Sequence, residues 1–542
     1  MQKADTAVLV TYFIAMILVG VIYSRRVKSL DMYFAGGKQL SWWLGGVSVV
    51  MASVSTFSIV VYSALGYQYG LVALTLYWTT VPATLLATWL FAVRWRRAGV
   101  LTPTEFLETR FSPGVRQLFV WSTVPLKVFD DALKIVAIGL FVSAGLKISP
   151  VGAVVAVGLV TVFYTMLGGL WAVVITDFVQ FVLVATGVIL LAPLTLHAAG
   201  GWHHVVAVLP KELFRPVSGP YTWGYVGSFL VLSTLSAAGN WSLIQRFYSA
   251  RNDREARGIG WTAAFLFLVL PPIWIITGIA ARAFIAPSGF DAQTIYARVS
   301  ADLLPPGMFG LMIAALFAAA MSVISSSLNV TAAVLTVDVH QRLIHPAATQ
   351  HELVFVGRAL TVVTGLIALV IALVAIHFHW SMFDAMVLAF GFVLPPTVLP
   401  VVGGLLTRRL SAGGALAGFL AGISVSSFFL FYRSISAPSN ASQIQSVSLL
   451  LATCATSVVL LLAAWLFPAK GEAADRSNRF QAKLEGSAPS TVDAESPAPI
   501  AGLIIGVMGL VLAVIGTGVL ARTNWLTMGT GLGLLAIGLA MR

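Results

Sequence analysis

Apolar residues fill this chain in blocks of about 18–25 positions, and polar residues gather in the short connections between them. The blocks do not alternate with a period of two, so they predict membrane-spanning helices rather than barrel strands. Counted by apolar run and breaker, they fall near 6–24, 42–70, 73–93, 117–145, 149–167, 170–196, 223–245, 259–284, 305–336, 357–377, 382–406, 413–432 and 446–467. After a polar stretch, two more runs near 500–520 and 525–541 bring the expected total to about fifteen spans.

Two blocks are interrupted. In the second, "MASVSTFSIV" sets Ser53, Ser55, Thr56 and Ser58 at mid-membrane depth; in the seventh, "STLSAAGNWSLIQR" sets Gly239 and Asn240 before a short amphipathic end. The second and seventh blocks are five helices apart. Interrupted helices at matching places of two five-helix halves point to a transporter binding site, where freed carbonyls and half-helix ends face a ligand. The alternative for either block alone is polar packing between helices.

Composition fits this pattern. Of 542 residues 58% are hydrophobic and 10% charged, and mean hydropathy is +0.93. The net charge of +12 does not point to nucleic acid, because the basic residues sit in short connections as the positive-inside rule requires. Arg25, Arg26 and Lys28, then Arg94, Arg96 and Arg97, then Arg246, Arg251, Arg254 and Arg257, then Arg408 and Arg409 alternate onto one side. That side is expected to be cytoplasmic, with the N-terminus outside and the C-terminus inside, in a multi-pass protein of the inner (plasma) membrane. "MQKAD" leads straight into the first run, so a retained span is expected rather than a signal peptide. One cysteine, Cys454, leaves no intrachain disulfide and no cysteine-built metal site. The polar stretch 469–499 reads as a flexible cytoplasmic linker, too short for an enzymatic domain.

Candidate chemistry lies inside the spans. In "AALFAAAMSVISSSLN", Ser322, Ser325, Ser326 and Asn329 are spaced i, i+3, i+4, i+7 and share a helix face. Hydroxyl oxygens on one strip suit a hard cation such as sodium, and they equally suit close helix packing. Asp177 lies about two turns inside the sixth block, where an acid is a functional hypothesis by default. No lysine or arginine lies within a turn of it. "LKVFDDALKI" places Lys127, Asp130, Asp131 and Lys134 at i, i+3, i+4, i+7, so Asp131 can meet both lysines, or one charge can face a cavity and read the substrate. Neither the His203–His204 pair nor the His377/His379 pair has a carboxylate at metal-site spacing, and His340, His345 and His351 fall in an expected cytoplasmic connection, so no metal other than sodium is expected. No P-loop is found and no nucleophile–base pair is seen in the spans, which argues against ATP as the power source and against an enzyme.

Several stretches resemble the sodium/solute symporter family of bacterial proline, galactose and sialic acid carriers. They are "DMYFAGGKQLSWW", "LTPTEFLETRFSPGVR", "YTMLGGLWAVVITDFVQ", "NWSLIQRFYSARNDREAR" and "LPPTVLPVVGGLLTRRLSAGGALAGFLAG", and the resemblance spans about 6–467. It implies an all-α polytopic membrane protein with an inverted five-plus-five, LeuT-like core. The expected divisions are a first span and loop (1–40), the repeat core (41–410), two added spans (411–468), the polar linker (469–499) and a helical hairpin (500–542).

The resemblance also implies site residues. The family's site called Na2 would fall on the carbonyls of Met51 and Val54 with Ala319, Ser322 and Val323. Val323 stands where a hydroxyl is usual, so that site lacks one oxygen. The additional site called Na3 would fall on Asp177, Ser322, Ser325 and Ser326. Ser55, Ser58 and Asn240 would line the substrate cavity, and Lys134 would favour an anionic or less polar organic solute over a sugar. The expected function is a secondary active symporter coupling sodium to uptake of a small organic solute by alternating access. A proton-coupled or uncoupled carrier and a non-transporting solute sensor are the alternatives. The sequence leaves the oligomeric state open.

Overall fold

The computed structural model describes residues 3–24, 39–100, 104–167, 170–286, 291–378, 380–435, 441–486, 498–517 and 524–540. The described chain is almost wholly helical. In chain order the helices are α1 (Lys3–Ser24), α2 (Trp42–Met51), α3 (Thr56–Tyr69), α4 (Val72–Trp78), α5 (Thr80–Ala98), α6 (Glu105–Arg110), α7 (Pro113–Leu146), α8 (Pro150–Leu167) and α9 (Leu170–Ala198). Then come α10 (Trp202–Val208), α11 (Trp223–Gly239), α12 (Trp241–Tyr248), α13 (Asp253–Val269), α14 (Pro271–Ala281), α15 (Ile295–Leu303) and α16 (Met308–Val334). The last are α17 (Gln350–His377), α18 (Met382–Leu406), α19 (Ala412–Ile435), α20 (Ala441–Leu466), α21 (Glu472–Glu485), α22 (Ala498–Gly516) and α23 (Trp525–Ala540). Each of the fifteen apolar blocks carries one helix or a broken pair. By length and composition, eight described helices can cross a bilayer alone, or nine if α2 and α3 form one bent span.

The centre of the molecule is α16. Every residue from Met308 to Val334 is buried, and α1, α7, α8, α9 and α17 surround it. Such a helix cannot rely on the hydrophobic effect for its place, because lipid tails are as apolar as its neighbours; close van der Waals packing has to do the work. Its small residues permit that approach. A Cβ on Gly310 would lie 2.5 Å from Asp5 Cα, so only glycine lets α1 cross there. Asp5 is itself buried, and its Oδ1 accepts from the N–H groups of Gly307 (2.8 Å) and Gly310 (2.9 Å). A carboxylate from the first span thus caps the positive end of the central helix.

Two differences from the sequence expectations concern polar segments. Residues 472–485, expected within the flexible linker, form the docked helix α21. Ser477, Phe480, Gln481 and Leu484 are buried and follow i, i+3, i+4, i+7, the signature of one packed face. Gln481 Nε2 donates to the carbonyl of Gly404 (3.1 Å), and Ser477 Oγ donates to that of Arg408 (2.8 Å). The rest of the expected linker, 487–497, lies outside the described residues. Arg246, expected in a basic connection, is wholly buried within the protein.

Candidate functional site

The second block breaks where its serines cluster. α2 ends at Met51 and α3 begins at Thr56, with a bend of 60° between them. At the end of α2 the last turn tightens, with two N–H groups sharing one acceptor: Ser53 (3.0 Å) and Val54 (2.6 Å) both donate to the Val50 carbonyl. Thr56 Oγ1 donates to the Leu316 carbonyl, which pins the break against α16 one turn before Ala319. The seventh block breaks at Asn240, whose backbone is extended and whose Oδ1 accepts from Leu243 N (3.0 Å) to cap α12. Both interruptions read from the sequence therefore exist, and both border one cavity.

That cavity, of about 240 Å³, is lined by Ser53, Ser55 and Ser58 of the first break, Gly239 and Asn240 of the second, and Val323 and Ser327 of α16. Aromatic walls come from Phe57, Tyr62, Tyr77, Phe229, Phe267 and Phe390. The charged groups in its lining are Lys127, Asp130 and Lys134, all from α7. The expected pairing on α7 is corrected here. Lys134 Nζ pairs with Asp130 Oδ2 at 2.6 Å, whereas both oxygens of the buried Asp131 lack a hydrogen-bond partner among the described residues. Lys127 makes no ion pair or hydrogen bond among them either. An acid four residues before a base is the favoured order on a helix, and Asp130–Lys134 has it while Lys127–Asp131 does not. Of the two lysines lining the cavity, Lys127 is therefore the one without a direct ion pair among the described residues, with the Asp130 and Asp131 carboxylates on the same helix as its electrostatic neighbours.

Behind the cavity lies a second polar cluster with no exposed member. Ser322 Oγ donates to Asp177 Oδ1 (2.5 Å), and Ser48 Oγ donates to Asp177 Oδ2 (2.5 Å). Arg246 of α12 reaches the same place: its Nη2 lies 3.4 Å from Asp177 Oδ2 and donates to Ser326 Oγ (2.9 Å) and Ser48 Oγ (3.0 Å). Its Nη1 is held by Gln245 Oε1 (3.0 Å) and the Ser242 carbonyl (3.3 Å). The side chains of both Asp177 and Arg246 are 0% exposed. At membrane depth neither charge survives alone, so each supplies the other's counter-charge.

Of the expected Asp177 set, Ser322 and Ser326 join the cluster. Ser325 instead donates back to the Ser322 carbonyl (3.1 Å) along its own helix. Arg246 and Ser48 are the members that the sequence reading did not assign. Arg246 lies in the last turn of the short helix Trp241–Tyr248, every residue of which is buried. Of the expected Na2 set, Met51, Val54 and Ala319 are buried, while the Ser322 hydroxyl is turned to Asp177 and Val323 presents methyl groups to the cavity.

The carboxylate is thus divided. Oδ2 serves Arg246 and Ser48, and Oδ1 serves Ser322. A cation at this site would take the Oδ1 side, where hydroxyl oxygens of Ser322 and Ser325 lie on one helix face, and would leave the arginine in place. The oxygens present suit a hard monovalent ion.

Known proteins share this architecture. A substrate-bound, outward-open sodium-coupled sialic acid symporter superposes with a TM-score of 0.72 at 24% identity, covering 86% of this chain and 99% of its own. Mhp1, a nucleobase-cation-symport-1 transporter, superposes at 0.54 and 14% identity, covering 84% and 99%. In sequence, a sodium/glucose cotransporter of Vibrio parahaemolyticus is 28% identical over 471 residues, 79% of this chain and 85% of the relative. A sodium/sialic acid symporter of Aliivibrio fischeri is 27% identical over 433 residues, 77% and 85%. The sodium:solute symporter family model matches residues 33–422, well over half of the sequence, and with the broken helices and buried acid found where the motifs fall, this chain belongs to the sodium:solute symporter family.

Proposed function

We propose that the protein couples sodium to uptake of a small organic solute carrying an anionic group, by alternating access across the plasma membrane. It is a transporter rather than an enzyme. The observation that carries the solute class is Lys127, a cavity-lining ammonium that makes no direct ion pair among the described residues, while Lys134 is engaged by Asp130. In a confined site with apolar walls an ammonium free of a direct ion pair attracts an anion and repels cations. Ser55, Ser58 and Asn240 line the same space and supply neutral polar contacts. Lys134 contributes through its pair with Asp130.

Sodium would bind in two places. Asp177 Oδ1, Ser322 and Ser325 form the stronger, with Ser326 held near by Arg246. The Met51 and Val54 carbonyls with Ala319 and Ser322 form the other, weakened by Val323. Sodium bound between the break at 52–55 and α16 holds the two together, and its release lets them part. An ion drives the cycle only through its different affinity for the two states. The repeat core would occupy 41–410, the basic connections would face the cytoplasm, and α19 and α20 would be additions to that core.

Uptake of a radiolabelled monocarboxylate library into proteoliposomes, with sodium and proton gradients imposed separately, tests this reading. Accumulation driven by sodium alone is expected. Accumulation driven by protons alone would favour the second reading, a proton-coupled carrier, which the missing ligand at Val323 motivates.

A further inference from the structure

We infer that His340, His345 and Glu352 form a binding site for a zinc ion at the arginine-rich end of α16, apart from the sodium and solute sites. Beyond Val334 the helix widens, and residues Leu335–Ile344 are wound as a π-helix. Widened turns bond residue i to i+5, and the N–H of His345 donates to the His340 carbonyl at 2.8 Å. This winding brings two side chains five apart toward one side, where a regular helix would splay them by more than a third of a turn. Their ring centroids are 6.4 Å apart. A short connection follows, and Thr349 caps α17 by accepting from Glu352 N (3.3 Å). Glu352 then turns back to the two imidazoles.

The ligand atoms converge on one point. Glu352 Oε1 lies 2.8 Å from His345 Nδ1 and 3.1 Å from His340 Nε2, and all three atoms lie within 4.8 Å of one another. Tetrahedral zinc with bonds of about 2.0–2.1 Å spaces neighbouring ligand atoms about 3.3 Å apart, so the nitrogen–oxygen separations are already close to those of a metal centre. Two histidines and one carboxylate are a recurrent zinc donor set that leaves a fourth position for water. Half of the His345 side chain is exposed, which leaves a path for an ion. The neighbouring guanidinium groups do not compete, because Arg342 pairs with Glu108 and Arg116 with Glu108 and Asp338. Linear spacing hides this set, because the carboxylate is twelve residues from the first histidine and the two imidazoles align only on a widened helix.

An ion here would fasten the end of the helix that bears Ser322 and Ser326 to the start of α17. Zinc binding would therefore raise the melting temperature and slow transport by restraining that end.

The test uses full-length protein in detergent, with any polyhistidine tag removed and chelator dialysed away. Zinc chloride is titrated against a chromogenic competitor, and melting is followed with and without zinc. One equivalent of zinc is expected to bind and raise the melting temperature. His340→Gln, His345→Gln and Glu352→Gln are each expected to weaken binding by about tenfold or more, with melting in the absence of zinc little changed. His351→Gln is expected to bind as the unaltered protein does. The inference is overturned if zinc neither binds stoichiometrically nor shifts melting, or if the shift persists in His340→Gln/His345→Gln.

Discussion

Asp177 of α9 and Arg246 of α12 form an ion pair at 3.4 Å, wholly enclosed by protein. Its position ties α2, α9 and α16 to the second broken helix, because Arg246 also grips Ser326 and Ser48. Removing one partner of a buried pair costs about 3–5 kcal/mol, since the other is left uncompensated. Arg246→Met should therefore lower the melting temperature sharply, and Asp177→Asn/Arg246→Met should recover part of the loss. A double variant as unstable as the sum of the single ones would show that the pair does not act as a unit.

Asp177→Asn should also weaken the sodium dependence of solute binding, because it replaces the carboxylate whose Oδ1 would face the ion. The measurement is solute affinity across a sodium series at constant ionic strength. An unchanged sodium response would remove Asp177 from the ion site.

Val323 offers the opposite manipulation. Val323→Ser adds a hydroxyl beside the break at 52–55, where the proposed second sodium site lacks one ligand. A gain of about 1 kcal/mol from one added contact corresponds to a roughly fivefold lower half-saturating sodium concentration for uptake. No change, or a higher value, would place the second sodium elsewhere.

Lys127→Gln should raise KM for an anionic solute by about 10–100-fold, the range expected for losing a hydrogen bond to a charged group. Competition by an acid and by its neutral amide separates charge recognition from general damage. The unaltered protein should prefer the acid, and Lys127→Gln should lose that preference. Lys134→Gln should keep it, because Lys134 is already engaged by Asp130.

Asp5 is tested by stability alone. Asp5→Ala removes the acceptor for two N–H groups at the start of α16 and should cost about 1–2 kcal/mol. Asp5→Asn keeps an oxygen there and should cost less. Thermal melting in detergent reads both.

Much of this architecture is legible in the sequence because bilayer physics is strict. Long apolar runs become helices, and polar residues at mid-depth mark the breaks at 52–55 and at Asn240. The helix face of Ser322 and Ser326 follows from spacing, whereas its match to Asp177 follows from the resemblance to the family. Arg246 was hidden for a physical reason. A basic residue after an apolar run resembles a loop charge, and its partner lies 69 positions away in sequence. Lys127 and Lys134 each have an acid within helical reach, so rotamers and helix orientation decide which stays free. Ser325 shows the limit of spacing: it shares the face, yet its hydroxyl bonds its own helix. The docked α21 was missed because its buried face uses serine and glutamine beside Phe480 and Leu484, a pattern too polar to read as packing.

That docked helix bears on turnover. Arg97 of α5 donates to the carbonyls of Leu484 and Glu485, Arg476 donates to that of Phe111, and Gln481 holds that of Gly404. One short helix therefore straps together connections that belong to separate parts of the core, and it lies beyond residue 422, where the family match ends. Carriers with the same core but different tails should then select the same solute and ion yet cycle at different speeds, making the tail a natural place for evolution to tune flux without touching recognition.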